Sequence, residues 1–117
     1  MKRIFIWLDD EREISPVMKT IVEKEENFEY KIFRTAENLM KWYNENLGRY
    51  DKIFISFDYD LGFGYTGYDM AKYIVEYNLQ LDGFTVHSMH LAGRKNIFEI
   101  LNRYGYYNMK YTVDILK

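Results

Sequence analysis

Six acidic or imidazole side chains in this sequence fall where chemistry could be done with them. Asp9 and Asp10 end the apolar run Arg3 to Leu8, Asp58 ends the run Ile53 to Phe57, and Asp60 follows two residues later. His87 and His90, the only histidines, enclose Ser88 and Met89 at the end of a further apolar stretch. If adjacent strands carry Asp9, Asp10 and Asp58, their carboxylates lie roughly 5 Å apart and repel by about 3 kcal/mol at an effective dielectric near 20. A proton, a basic neighbour such as Arg12, or a hard divalent cation must offset that repulsion. An all-oxygen set of Asp9, Asp10 and Asp58 with open positions suits Mg2+, with Mn2+ second, completed by water and a substrate phosphate. An imidazole titrates near neutral pH, so His87 or His90 could act as acid or base. Zinc through His-x-x-His plus aspartate ranks lower, because residues leaving a strand for a loop have no fixed ligand spacing. The ordinary alternative is that these aspartates cap helices and solvate loops.

Around that set lie weaker signals. Ser88 could hydrogen-bond a phosphoryl oxygen, and "LAGRKN" offers backbone N–H groups at a helix start beside Arg94 and Lys95, a generic anion site. The catalytic candidates are therefore Asp58, His87, His90 and Ser88; the substrate-binding candidates are Arg12, Asp60, Arg94, Lys95 and Asn96. "GFGYTG", Gly62 to Gly67, lacks the Gly-Lys-Ser/Thr of a P-loop and reads as a loop whose Phe63 and Tyr65 could stack on a base or simply pack.

Periodicity supplies the elements that must position these groups. Strand-like runs at Arg3–Leu8, Tyr30–Phe33, Ile53–Phe57 and Phe84–His87 alternate with helical patterns at Val17–Val22, Thr35–Asn46, Tyr68–Tyr77 and Lys95–Tyr104. Thr66 and Asp69 have capping-box spacing, Gly105 stops the last helix, and Met109, Tyr111, Val113 and Ile115 alternate as a fifth strand. Such alternation predicts a parallel sheet with helices on both faces. The expectation is a flavodoxin-like α/β sandwich with strand order 2-1-3-4-5, one domain over 1–117, and a ligand site outside the carboxyl ends of the first and third strands.

Composition narrows the classes. At 117 residues the chain can bury a core without staples, and with no cysteine it has neither a disulfide framework, a thiolate metal site nor a cysteine nucleophile. The first apolar run is too short for a signal or membrane segment, so the expected location is cytoplasmic, with no membrane partner. A net charge of -2 predicts no bulk duplex nucleic-acid binding. Oligomeric state is not legible.

The motifs "FIWLDD", "IFISFD" and "TVHS" resemble the receiver domain of two-component signalling, which carries an acidic pair after the first strand, a phosphate-accepting Asp after the third and a Ser or Thr after the fourth. The receiver's lysine at the end of the fifth strand has only Lys110 as a counterpart, and no Lys-Pro dipeptide follows. "LDDER", "FDYDLG" and "HSMHLAGRKNI" resemble more specifically the cyclic-phosphate-processing receiver-like domains, with Tyr59 where that family usually has His and His90 where it usually has Asn. The resemblance implies a receiver fold turned to binding or hydrolysing a cyclic phosphate, on a 2',3'-cyclic RNA end or a cyclic nucleotide, as a metal-dependent phosphoesterase. The competing readings are a stand-alone receiver phosphorylated on Asp58 and a binder of a cyclic nucleotide without turnover, such as a viral counter-defence protein.

Overall fold

A computed structural model of the protein describes residues 1–109. Four strands and four helices alternate: β1 (Arg3–Leu8), α1 (Pro16–Lys24), β2 (Phe28–Phe33), α2 (Ala36–Glu45), β3 (Lys52–Phe57), α3 (Gly67–Glu76), β4 (Gly83–Val86) and α4 (Leu91–Arg103). All pairings are parallel, in the order β2-β1-β3-β4. This is the flavodoxin-like arrangement, with four strands among the described residues where five were expected. Tyr107 to Met109 pair with Phe84 along the outer edge of β4, while the rest of the expected fifth strand, with Lys110, lies outside the described residues.

Side chains alternate across a strand. Ile4, Ile6 and Leu8 of β1, with Ile53, Ile55 and Phe57 of β3, therefore point to the face covered by α2, α3 and α4. Phe5 and Trp7, with Phe54, point to the opposite face and pack on Met18 and Val22 of α1. Burying both faces is why β1 and β3 are nearly continuous apolar runs.

The helix ends follow local chemistry. Thr35 caps α2 by accepting from the Asn38 N–H, and Thr66 and Asp69 form the expected reciprocal capping box on α3. The start of α4 differs from expectation. It begins at Leu91, four residues before Lys95, because the His90 ring caps it by accepting from the Gly93 N–H. An imidazole in the place usually taken by Ser, Thr, Asp or Asn gives no ordinary start signal.

Between β3 and α3 the chain makes a closed loop, sealed by the Gly67 N–H donating to the Tyr59 carbonyl at 2.8 Å. A Cβ on Gly67 would sit 1.9 Å from the Asp58 carbonyl oxygen, so only glycine lets α3 start against the end of β3. Gly67→Ala should cost roughly 1–3 kcal/mol in urea unfolding, the range for steric overpacking, and should shift the Asp58 backbone. Wild-type stability in this variant would show that the close approach is relaxed in solution.

Candidate functional site

Strand register alone brings three functional side chains together. Trp7, Ser56 and Thr85 are cross-strand partners in one row over β1, β3 and β4. Two residues further on, on the same face, stand Asp9, Asp58 and His87. The ladder continues to that level, with Asp58 N–H donating to Leu8 and His87 N–H to Phe57. Ligand atoms of Asp9, Asp58 and His87 lie within 4.8 Å of one another, and Asp9 and Asp58 are buried. Asp9 and Asp58 form the floor of a cleft of about 470 Å3 whose wall includes Asp10, Arg12, Asp60, Ser88 and His90, with His87 behind Asp9.

Asp9 is saturated by protein donors. One oxygen, Oδ1, accepts from the Glu11 and Arg12 backbone N–H groups at 2.9 and 2.8 Å. The other, Oδ2, accepts from Arg12 Nε and His87 Nε2, both at 3.0 Å. Burial pushes the Asp9 pKa up, but these four bonds and the Arg12 charge outweigh it and hold the carboxyl below its ordinary value. Asp58 is moved the other way. Burial first, and the Asp9 charge second, raise its pKa against a hydrogen bond from Ser88 and the Arg12 Nη2 group at 3.7 Å. One half-exposed guanidinium thus spans both carboxylates.

His87 is held on every side. Its ring stacks on Trp7 at 3.9 Å, Nδ1 meets Ser56 Oγ at 2.7 Å, and Thr85 Oγ1 donates to that same Ser56 oxygen at 2.8 Å. Burial lowers the His87 pKa more than the nearby Asp9 and Asp58 charges raise it. A neutral ring facing the ionised Asp9 must carry its proton on Nε2, so Ser56 donates to Nδ1 and a directed chain runs from Thr85 through Ser56 and His87 to Asp9. Ser56 and Thr85 were not among the expected functional residues.

The departures Tyr59 and His90 touch each other. Their rings stack at 4.6 Å, and a Cβ on Gly93 would come within 2.2 Å of the Tyr59 ring. Because His90 Nδ1 accepts the Gly93 N–H at 2.9 Å, the proton of the neutral ring sits on Nε2. Ser88 Oγ accepts from the His90 N–H at 3.1 Å. Asp10 belongs to the opposite strand parity from Asp9 and stands beside Gly62, apart from the trio. Asp60 accepts from the Gly62 N–H in an Asx turn on the cleft wall. Arg94, Lys95 and Asn96 are exposed on α4 and do not line the cleft; Lys95 faces Glu99 at 3.8 Å. The anion site expected at "LAGRKN" loses part of its basis, since that segment is already helical and its Gly93 N–H is taken.

The family model of the cyclic-phosphate processing receiver domain matches residues 4–103. The chain belongs to that family. In three dimensions it is similar to the signal receiver domain of a Luxo repressor protein from Vibrio parahaemolyticus, with a TM-score of 0.61 over 99% of this chain and 85% of that one. At 13% identity the likeness shows the fold alone. No curated protein matches the sequence. In this receiver-like chain the Asp9, Asp58 and His87 trio could hold a metal ion. Two carboxylate oxygens and one imidazole nitrogen are a suitable donor set for a divalent cation. No helix among the described residues is long and apolar enough to cross a membrane.

The lowered His87 pKa has a defined stability consequence. The unfolded chain binds the His87 proton more readily than the folded one, so stability rises with pH across this window. Its contribution is complete above the unfolded value near 6.5 and is lost as pH falls through the lowered folded value. Urea unfolding of chelator-treated protein at pH 7 and pH 5 should therefore show weaker folding at pH 5. His87→Gln should reduce that difference; an identical difference in the variant would mean that other groups carry it.

Proposed function

We propose that this domain binds a cyclic phosphodiester in the acidic cleft and opens its ring by hydrolysis, with a divalent cation held by Asp9 and Asp58. The observation that carries the reading is the convergence of two buried carboxylates and an imidazole at the strand ends of a cyclic-phosphate processing receiver domain. The expected substrate is an RNA 2',3'-cyclic phosphate end or a cyclic nucleotide. Mg2+ or Mn2+, when bound, supplies positive charge for the phosphoryl oxygens and a more acidic water.

The chain's own residues do the rest. Arg12, half-exposed on the cleft wall, is paired with both floor carboxylates and is the donor for a non-bridging phosphoryl oxygen. Ser88 stands beside Asp58, and its one O–H becomes a second donor for the phosphoryl group when an ion takes over that carboxylate. Water adds at phosphorus and loses a proton to solvent, one ring P–O bond breaks, and the departing oxygen takes a proton from solvent while His90 Nε2–H donates a hydrogen bond to it. His90 suits that role because its Nδ1 is fixed as an acceptor, which keeps the N–H donor on the free side of the ring. His87 has both nitrogens engaged and acts by positioning Asp9.

The receiver fold favours one second reading, in which Asp58 accepts a phosphoryl group and the domain signals. Acetyl phosphate with Mg2+ would then add one phosphate mass at Asp58, and cyclic phosphates would be recovered unchanged.

For the hydrolytic reading, Asp58→Asn should abolish ring opening, followed by chromatography of a cyclic nucleotide. Because the ionised Asp58 is costly where it sits, the metal-free variant should melt at or above the wild-type temperature. It should also lose most of any Mg2+-induced rise in Tm. Full activity in Asp58→Asn would refute the metal assignment. His90→Ala should lower kcat about 100-fold or more with little change in KM, as expected for a lost hydrogen-bond donor to the departing oxygen. An unchanged kcat would place that donor elsewhere.

A further inference from the structure

We propose that Arg12 is a resident counter-cation which a divalent ion must displace, so that loading the ion frees the guanidinium for the substrate phosphate. The inference rests on the metal site in the proposed function and adds an order of events to it.

The argument starts from Asp9. Its two oxygens accept four hydrogen bonds, which uses every lone pair a carboxylate offers. An ion cannot take Asp9 without removing one of those donors. The Glu11 and Arg12 N–H groups belong to the backbone turn that follows β1, and His87 is fixed by its stack on Trp7 and its bond to Ser56. The Arg12 side chain is the movable donor: it is 50% exposed, and its Nη2 reaches Asp58 only at 3.7 Å. Its backbone is tied by the Arg12 carbonyl, which accepts from Trp7 Nε1 at 3.1 Å and Arg34 Nη1 at 2.7 Å. When the side chain leaves the carboxylates, its root therefore stays on the cleft wall.

Charge gives the direction. Among the described residues two carboxylates, Asp9 and Asp58, share one guanidinium, Arg12, which leaves the pairings short of positive charge and repels a phosphate. Exchange of the guanidinium for a divalent ion neutralises both carboxylates and leaves Arg12 as an unpaired cation beside them. Metal and phosphate then bind cooperatively through one side chain, and by linkage each raises the affinity of the other.

The test uses the full chain, Mn2+ as the ion and a 2',3'-cyclic nucleotide as the anion, with binding read by Mn2+ spin resonance and calorimetry. Arg12→Gln should bind Mn2+ about three- to tenfold more tightly than wild type, the size expected for losing two half-exposed competing pairs. The same variant, loaded with Mn2+, should bind the cyclic nucleotide more weakly. Opposite signs for the two ligands are the signature, since a structural defect would weaken both. Arg12→Lys serves if the glutamine variant does not fold. Lysine retains the charge but not the fork that spans Asp9 and Asp58, so it should bind Mn2+ more tightly than wild type while keeping more of the nucleotide affinity than the loss of charge would allow. Trp7, in a Trp42→Phe background, should change fluorescence on Mn2+ addition, because it contacts both His87 and the Arg12 carbonyl. Unchanged or weaker Mn2+ binding in both variants overturns the inference even if ring opening is observed. Binding with the expected opposite signs but no ring opening supports it and refutes hydrolysis instead. No Mn2+ binding by any of the three proteins removes the ion and overturns it as well.

Discussion

Two ionisable carboxyl groups on adjacent parallel strands, both shielded from water, are the constraint around which the rest of this structure is arranged. Taking a carboxylate out of water is costly unless donors replace the lost hydration, and a second one beside it adds repulsion. The two groups meet that cost unequally. Asp9 receives four donors and stays ionised easily; Asp58 receives fewer and is the strained member. Arg12 touches both, and His87 completes the shell of Asp9 from β4. Trp7, Ser56 and Thr85 have their polar groups spent on orienting Arg12 or His87, which explains two hydroxyls in an otherwise apolar row.

A second layer of the site is steric. Gly67 permits α3 to begin against the Asp58 carbonyl, and Gly93 makes room for the Tyr59 ring at the start of α4. Tyr59 in turn stacks on His90, whose ring caps the helix that Gly93 belongs to. The two positions at which the chain departs from the usual family motif are thus one contact, and each explains the other. A larger ring after β3 needs a flat partner and a glycine above it, and an imidazole supplies the flat face while still accepting the N–H that an asparagine would take.

Much of this was legible in the residues. The alternation of apolar runs with helical spacing predicted the parallel sheet, the order of its first four strands and a cleft at their carboxyl ends, because burial on both faces forces that pattern. The aspartates and histidines at those ends followed. What periodicity did not resolve was parity. Asp9 and Asp10 look equivalent in "LDDER", yet side chains two apart share a face and neighbours do not. The trio is therefore Asp9, Asp58 and His87, each two residues beyond a member of the row Trp7, Ser56 and Thr85. Register was the missing quantity, and the polar Ser56 inside "IFISF" was its trace. The start of α4 was hidden for a different reason, since a capping histidine reads in sequence as a catalytic candidate, and Arg94 to Asn96 were drawn toward the site with it.

The same charge balance bears on how a site of this kind would let its product go. On the proposed chemistry, the ion-loaded floor with Arg12 freed carries one positive charge, which a cyclic phosphodiester, a monoanion, just neutralises. Ring opening turns that ligand into a monoester with up to two negative charges near neutral pH. The same floor then holds an excess negative charge, and the freed Arg12 is drawn at once by the product and by the carboxylates it left. A cleft whose buried charges are fixed in number discriminates between substrate and product by valence, without a contact that reads their shape. The departure of the product and the return of Arg12 to Asp9 and Asp58 then relieve the same imbalance, so the guanidinium that makes way for the reaction also helps to end it.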